Sequence, residues 1–523
     1  MIPPTDDLAG HVAENSSLRL RAFARPGMPA VFRRGDTADA EPAVPGRRFP
    51  GDERFLWGVE RPPRGGPPRA LAPGMPDPNL HERATYGQPG RRVAVVAGLR
   101  TPFAKANSGL ARLSATELGR RCVTELLARS ELDPTEVQAV VYGNVVQNVT
   151  EPNIAREISL LPQLPRGVQS FTVGRACASA NQAITDAADQ IVLGHLDAVI
   201  AGGSESLSQV PVLHSRRMSE ALVAASKAKT LGGRARSLAT LRPKDFVPVT
   251  PAIAEPSTGE TMGQSAEKMA KVNGVTRDEQ DAWALRSHRL AAQGWADGRL
   301  AQEVAPVFLS GTSGLPGGDG GGPTALDRDN GVRADTSLEQ LAKLTPVFDK
   351  RYGSVTAGNA SPLTDGASAV LLMREDKARA LGHEPLAYVR SYAYAALDPG
   401  EQLLQGPALA MPVALARAGL SARDVDLFEI HEAFAAQVLC NLRAFASRAW
   451  AERAGFAEPV GELDRDRINV MGGSIALGHP FGATGGRVLV TLCNELRRRG
   501  GQFGVLSVCA AGGMGHVMVV ERA

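Results

Sequence analysis

The 523-residue chain lacks any run of about 18–20 apolar residues, so the sequence predicts no membrane-spanning helix. Cysteine is scarce and odd in number: Cys122, Cys177, Cys440, Cys493 and Cys509. That set argues against a disulfide framework and suits a reducing compartment such as the cytoplasm. Aromatic residues make up only 5%, which leaves no evident platform for stacking bases. The formal charge of +3 is near neutral for this length, so a nucleic-acid partner is not expected. Residues 1–90 lack an apolar period and are crowded with Pro, Arg and Gly, as in RPPRGGPPRALAPGMPDP from Arg61 to Pro78. Such a stretch buries too little surface to offset its ordering entropy and is expected to be a disordered extension. It has no apolar h-region after a basic start, and Asp6, Asp7 and Glu14 do not suit a transit peptide. Met75 is an alternative start in this reading.

From Arg92 onward the chain is patterned, and the pattern is written twice. RVAVVAG predicts a strand, and TELGRRCVTELLARS (Thr116–Ser130) has helical spacing with Thr116 as its cap. LDPTEVQAVVYGNVV is a turn and a buried strand; GRACASANQAITDAADQIVLGH is a tight turn feeding a helix; LDAVIAGGSES is a second buried strand. SARDVDLFEIHEAF, GHPFGATGGRVLVTLCNEL and GQFGVLSVCAAGG repeat that order, and TDGASAVLLMRE closes the first half as GGMGHVMVVER closes the second. A repeat this long, alternating strand and helix, implies two similar α/β domains stacked helix layer on helix layer. The reading places one domain at 91–208 plus 345–376 and the other at 377–523. An inserted loop segment at 209–344 shapes a substrate site.

Three runs of small residues carry the chemistry. Cys177 lies in GRACASANQAI, His479 in GGSIALGHPFGATG, and Cys509 opens CAAGGMGH. Carbon–carbon chemistry on a thioester requires such a set: one thiolate to take the acyl group, one imidazole to activate it, a second thiol to move a proton on and off carbon. Cys177 precedes a helix, whose free N–H groups favour its thiolate. The bland readings are a small core thiol for each cysteine and a helix-capping turn residue for His479.

RACAS, HEAFA (His431–Ala435), GGSIALGHP and CAAGGMG, in this order, resemble the four motifs of the thiolases over four-fifths of the chain. HEAFA where most members have Asn, and CAAGG where most have CxGGG, are most similar to the β subunit of the fatty-acid oxidation trifunctional enzyme and its bacterial counterparts. GETMGQSAEKMAK and TAGNASPLTDGAS are similar to that subgroup too.

The resemblance implies a layered αβαβα fold and thiolytic cleavage of 3-ketoacyl-CoA by CoA through an acyl-Cys177 intermediate. His479 would be the base and Cys509 the acid that protonates the departing enolate. His431 would assist an oxyanion hole, with Glu432 either orienting its ring or serving as a structural hydrogen-bond partner. Ala511 and Gly512 would belong to the second oxyanion loop, which fails if Ala511 needs a positive φ. Ser361 and Ala357 would line the pantetheine. No metal or other cofactor is implied, since coenzyme A is a substrate. The implied partners are a second copy of the chain and a hydratase/dehydrogenase α subunit.

Eight cations between Arg216 and Lys244, opposed only by Glu220, suit the phosphates of CoA, a partner subunit or peripheral contact with an anionic membrane, or else a plain solvated helix face. Two other functions stay open: a biosynthetic acetoacetyl-CoA thiolase, and a non-catalytic acyl-CoA-binding scaffold. Cys122, Cys440 and Cys493 fall in helical patterns and are expected in the core.

Overall fold

The computed structural model describes Tyr86 and residues 90–249, 254–309 and 324–523. The extension expected over 1–90 falls almost wholly outside these residues, as does the glycine-rich turn at 317–323.

The first half builds β1 (Val93–Arg100), α1 (Ala115–Ser130), β2 (Ala139–Gly143), β3 (Gln169–Val173), α2 (Ser179–Val192), β4 (Ala198–Glu205) and β5 (Thr364–Arg374). Between β4 and β5 runs the excursion, with α3 (Met262–Asn273) and α4 (Arg277–Ala296). The second half builds β6 (Ala387–Ala396), α5 (Gly406–Ala418), β7 (Leu427–Ile430), α6 (Ala435–Ala446), α7 (Thr484–Arg499), β8 (Phe503–Ala510) and β9 (Met514–Arg522). One expected detail shifts. The cap of α1 is Ser114, whose hydroxyl accepts from the Glu117 N–H, while Thr116 Oγ1 donates to Glu151 instead. Ser114 holds the extended backbone that an N-cap needs, and Thr116 is already inside the first turn.

The strands form one path in the order β7-β8-β9-β6-β1-β5-β4-β2-β3. The two half-sheets join where β1 pairs with β6, at Ala94–Tyr388 and Val95–Ala387. Alternation along the strands sorts side chains into layers. Val93 and Val95 of β1 turn into a core that also holds Ile184 and Ile191 of α2, Val488 and Leu492 of α7, and Met518 of β9. Ala94 and Val96 turn the other way, into a core with Leu118 and Val123 of α1. Val517 and Val519 of β9 face a third core with α5 and α6. The layering is therefore α–β–α–β–α, as expected, with α2 and α7 forming the shared middle layer.

The excursion spreads over both halves. Met269 of α3 and Trp283 of α4 sit in the core of α5 and α6, whereas Ala305 and Val307 sit in the core of α1. Among the described residues no helix is long and apolar enough to cross a membrane. At the joint of the halves the backbones touch: a Cβ on Gly203 would lie 1.9 Å from the Gly482 carbonyl oxygen, so only glycine fits there.

Candidate active site

Cys177 sits on a tight turn just before α2, and the residue ahead of it, Ala176, has φ 44°. A non-glycine residue in the left-handed region costs on the order of 1–3 kcal/mol and persists only where surroundings enforce it. Ser179 supplies the enforcement. Its Oγ accepts from the Arg175 N–H at 2.8 Å and donates to the Ala176 carbonyl at 2.7 Å. The turn thereby aims the Cys177 thiol at His479, whose Nε2 lies 3.2 Å from Sγ.

The tautomer of His479 follows from its other nitrogen. Nδ1 lies 2.7 Å from Thr484 Oγ1, and that hydroxyl donates its own proton to the Pro480 carbonyl at 3.3 Å. Thr484 must then accept from Nδ1–H, which leaves the Nε2 lone pair facing the thiol. Burial, with a smaller push from Arg487, lowers His479 to about 3. Burial also pushes the Cys177 thiol up to about 12, against the opposing pull of the Ala511 and Cys177 N–H groups. The pair therefore rests as neutral thiol and neutral imidazole. This departs from the thiolate expected from helix position, because desolvation outweighs the helix N-terminus here.

Cys509 lies near the end of β8, 1% exposed, with its thiol held well above the usual range by burial and then by Cys177. Two residues on, the Ala511 N–H faces the Cys177 sulfur. Ala511 does not take a positive φ; Gly512 (φ 85°) and Gly513 (φ 68°) absorb the left-handed turn, so alanine is no obstacle at 511. Gly512 itself donates its N–H to Glu255 of the excursion at 2.8 Å.

His431 ends β7. It is fully buried, and its ring centroid lies 4.1 Å from that of His479. Its Nδ1 lies 2.9 Å from Ser474 Oγ, while its Nε2 is buried with no partner. Burial, then His479 and Arg487, hold its pKa well below the usual value. Of the two readings for the neighbouring Glu432, the structural one fits: it accepts from Trp283, Ser287, Asn469 and the Ile475 N–H, and so ties α4 to the segment ahead of His479. Cys177, His431 and His479 each bring one sulfur or ring-nitrogen atom within 4.8 Å of the others.

The site opens on a cavity of about 510 Å³. Cys177, His479, Ala511 and Ser361 line it, and Val145, Val146, Leu207 and Val210 make its wall apolar. Ala357 is exposed and is not among the lining residues. Sequence reasoning missed Glu205, whose fully buried carboxylate accepts from the Val145, Val146 and Gly482 N–H groups. It ties the cavity wall to the loop after His479, and burial raises its pKa to about 7. A carboxylate ending an apolar strand (AVIAGGSE) was the signal available.

A duplicated α/β frame with a thiol, two imidazoles and a second thiol at the joint of its halves defines an acyltransferase that works through cysteine. The chain belongs to the thiolase family: residues 93–376 match the thiolase N-terminal domain and residues 383–522 the thiolase C-terminal domain. A 3-ketoacyl-CoA thiolase of Shewanella woodyi is 48% identical over 433 residues, covering 83% of this chain and 97% of that protein. One from Aeromonas salmonicida is 49% identical over 437 residues, with the same coverage. Among solved structures, human mitochondrial 3-ketoacyl-CoA thiolase in complex with CoA aligns with TM-score 0.68 at 32% identity, covering 84% of this chain and all of that one. An acetyl-CoA acetyltransferase of Bacillus anthracis aligns with TM-score 0.71 at 33% identity, over 83% of this chain and 99% of that one.

Proposed function

We propose that this chain cleaves 3-ketoacyl-CoA with CoA, giving acetyl-CoA and an acyl-CoA shortened by two carbons. The observation that carries the reading is the 3.2 Å approach of His479 Nε2 to Cys177 Sγ at the foot of an apolar cavity. His479 takes the Cys177 proton as sulfur attacks C3, and the resulting oxyanion is held by the Cys177 and Ala511 N–H groups. The C2–C3 bond then breaks. Cys509 protonates C2 of the departing acetyl-CoA enolate and recovers a proton from His479. In the second half, the CoA thiol gives its proton to His479 and attacks the acyl-Cys177 carbonyl. Cys177 leaves as thiolate and is reprotonated by His479. No metal or redox cofactor enters this scheme. Ser361 fits a wall position for pantetheine; Ala357 finds no support at the cavity.

A homodimeric core, an α subunit carrying hydratase and dehydrogenase activity, and a bacterial cytoplasmic setting belong to this proposal. The bacterial relatives support the last of these. The helices Arg216–Lys227 and Leu231–Leu238 expose Leu222, Val223 and Leu231 beside their cations, which suits a partner subunit or peripheral membrane contact. The test is thiolysis of 3-ketohexadecanoyl-CoA against acetoacetyl-CoA, wild type beside Cys177→Ala. Turnover of the long substrate that Cys177→Ala abolishes supports the reading; turnover of acetoacetyl-CoA alone would replace it with the biosynthetic thiolase.

A further inference from the structure

We propose that Ser474 and Arg487 are positioning residues that fix His431 as its Nε2–H tautomer, so that His431 acts as a hydrogen-bond donor to substrate oxygen and not as a second base. The inference rests on the thiolase reading above and assigns the relay behind one of its oxyanion sites.

The argument is one of proton placement. Arg487 is fully buried, and its Nη2 donates to Ser474 Oγ at 2.8 Å. Its Nη1 lies 3.4 Å from Glu429. A guanidinium has donors only, so Ser474 Oγ is the acceptor there and keeps its own proton to give. The group placed to receive it is His431 Nδ1, at 2.9 Å. The reverse assignment, Nδ1–H toward Ser474, would strand the serine proton in a site with 0% exposure, which buried polar groups avoid. The strong lowering of the His431 pKa agrees with a neutral ring, which holds one proton only. With Nδ1 accepting, that proton is on Nε2.

Nε2 is the atom left buried without a partner, on a ring whose centroid lies 4.1 Å from that of His479, the two tilted by 47°. An unpartnered donor beside the reacting thiol is the geometry that electrostatic stabilisation of a developing oxyanion requires. The adjacent histidines are thus held in opposite states by two hydroxyls. Thr484 accepts a hydrogen bond from His479 Nδ1–H and so makes that ring a base at Nε2, whereas Ser474 donates one to His431 Nδ1 and so makes that ring a donor at Nε2. The same assignment bears on metal binding. With Nε2 protonated, only Cys177 and His479 of the clustered trio offer lone pairs, fewer than the three protein ligands of a catalytic zinc site.

The test combines nitrogen-15 NMR of the histidine rings in the full-length enzyme without substrate with steady-state thiolysis. His431 in wild type should show a protonated Nε2 and an unprotonated Nδ1, and Ser474→Ala should lose that bias. Removing one oxyanion donor typically costs roughly 10²–10³-fold in kcat, so Ser474→Ala should lose a tenfold or greater part of that with KM within about twofold. In a His431→Ala background the Ser474→Ala change should add nothing. A wild-type spectrum with Nδ1 protonated, or a Ser474→Ala loss that persists in full on top of His431→Ala, would overturn the relay. The spectrum is read without turnover, so an inactive wild type with Nε2–H sinks the thiolase reading alone. An active wild type with Nδ1–H sinks the relay alone.

Discussion

Thr484→Val is the substitution that most directly isolates how His479 is made a base. Valine keeps the shape of threonine and deletes the hydroxyl that accepts from Nδ1–H at 2.7 Å. Thr484 is fully buried, so no water replaces the lost acceptor. Leaving a buried donor unpaired costs about 1–3 kcal/mol. The ring escapes that cost by moving its proton to Nε2, where it faces Cys177 Sγ and cannot receive the thiol proton. At about 1.4 kcal/mol per factor of ten, the base-competent tautomer is depleted roughly 5- to 150-fold. Both half-reactions route protons through Nε2, so kcat should fall by that factor while KM, set by CoA contacts elsewhere, stays near wild type. The assay is steady-state thiolysis of 3-ketohexadecanoyl-CoA, paired with the rate at which iodoacetamide alkylates Cys177. Both rates should drop together. A Thr484→Val enzyme that is folded and keeps kcat within about twofold of wild type would refute the tautomer argument.

Other expectations follow from the same geometry. His479 is lowered from 6.5 to about 3 and Cys177 raised to about 12, so the pair stays net neutral through ordinary pH. The kcat/KM profile between about pH 5.5 and about pH 8.5 should therefore show no acid limb centred near 6.5, and such a limb would contradict the neutral resting pair. Gly203→Ala forces a Cβ to within 1.9 Å of the Gly482 carbonyl, and overpacking of this kind costs about 1–3 kcal/mol or more, read as a lowered midpoint in thermal unfolding. Cys177→Ala should lose thiolysis by roughly a thousandfold or more, and its mass spectrum with 3-ketoacyl-CoA should lack the acyl adduct that wild type forms.

The sequence was most legible where chemistry forces local pattern. Cys177 on a turn before a helix, His479 between glycine and proline, and Cys509 at a strand end stand where the spacing put them. The duplicated order of strands and helices also survives, because apolar alternation must match the layers it fills. What was not legible depends on pairs distant in the chain. Glu255 reaches Gly512 across 257 positions, and Glu205 reaches Gly482 across 277. Nothing local to either carboxylate marks its partner. The burial that opposes the thiolate of Cys177 was hidden for a related reason: helix position can be read from sequence, but desolvation depends on what folds over the sulfur. Ser474 and Thr484 each begin a helix, and only the fold shows which nitrogen each one meets.

The shared middle layer has a further consequence. Cys177 precedes α2 and His479 precedes α7, equivalent places in the two halves of a duplicated chain. Nucleophile and base are thus one topological position used twice, and the packing of α2 against α7 carries the 3.2 Å span that a proton crosses between them. Asn181 of α2 and Gly485 of α7 touch at that interface, where a Cβ on Gly485 would lie 2.2 Å from Asn181 Oδ1. The absence of a side chain at Gly485, a residue outside the reacting groups, is therefore what lets α2 and α7 pack this closely behind thiol and imidazole.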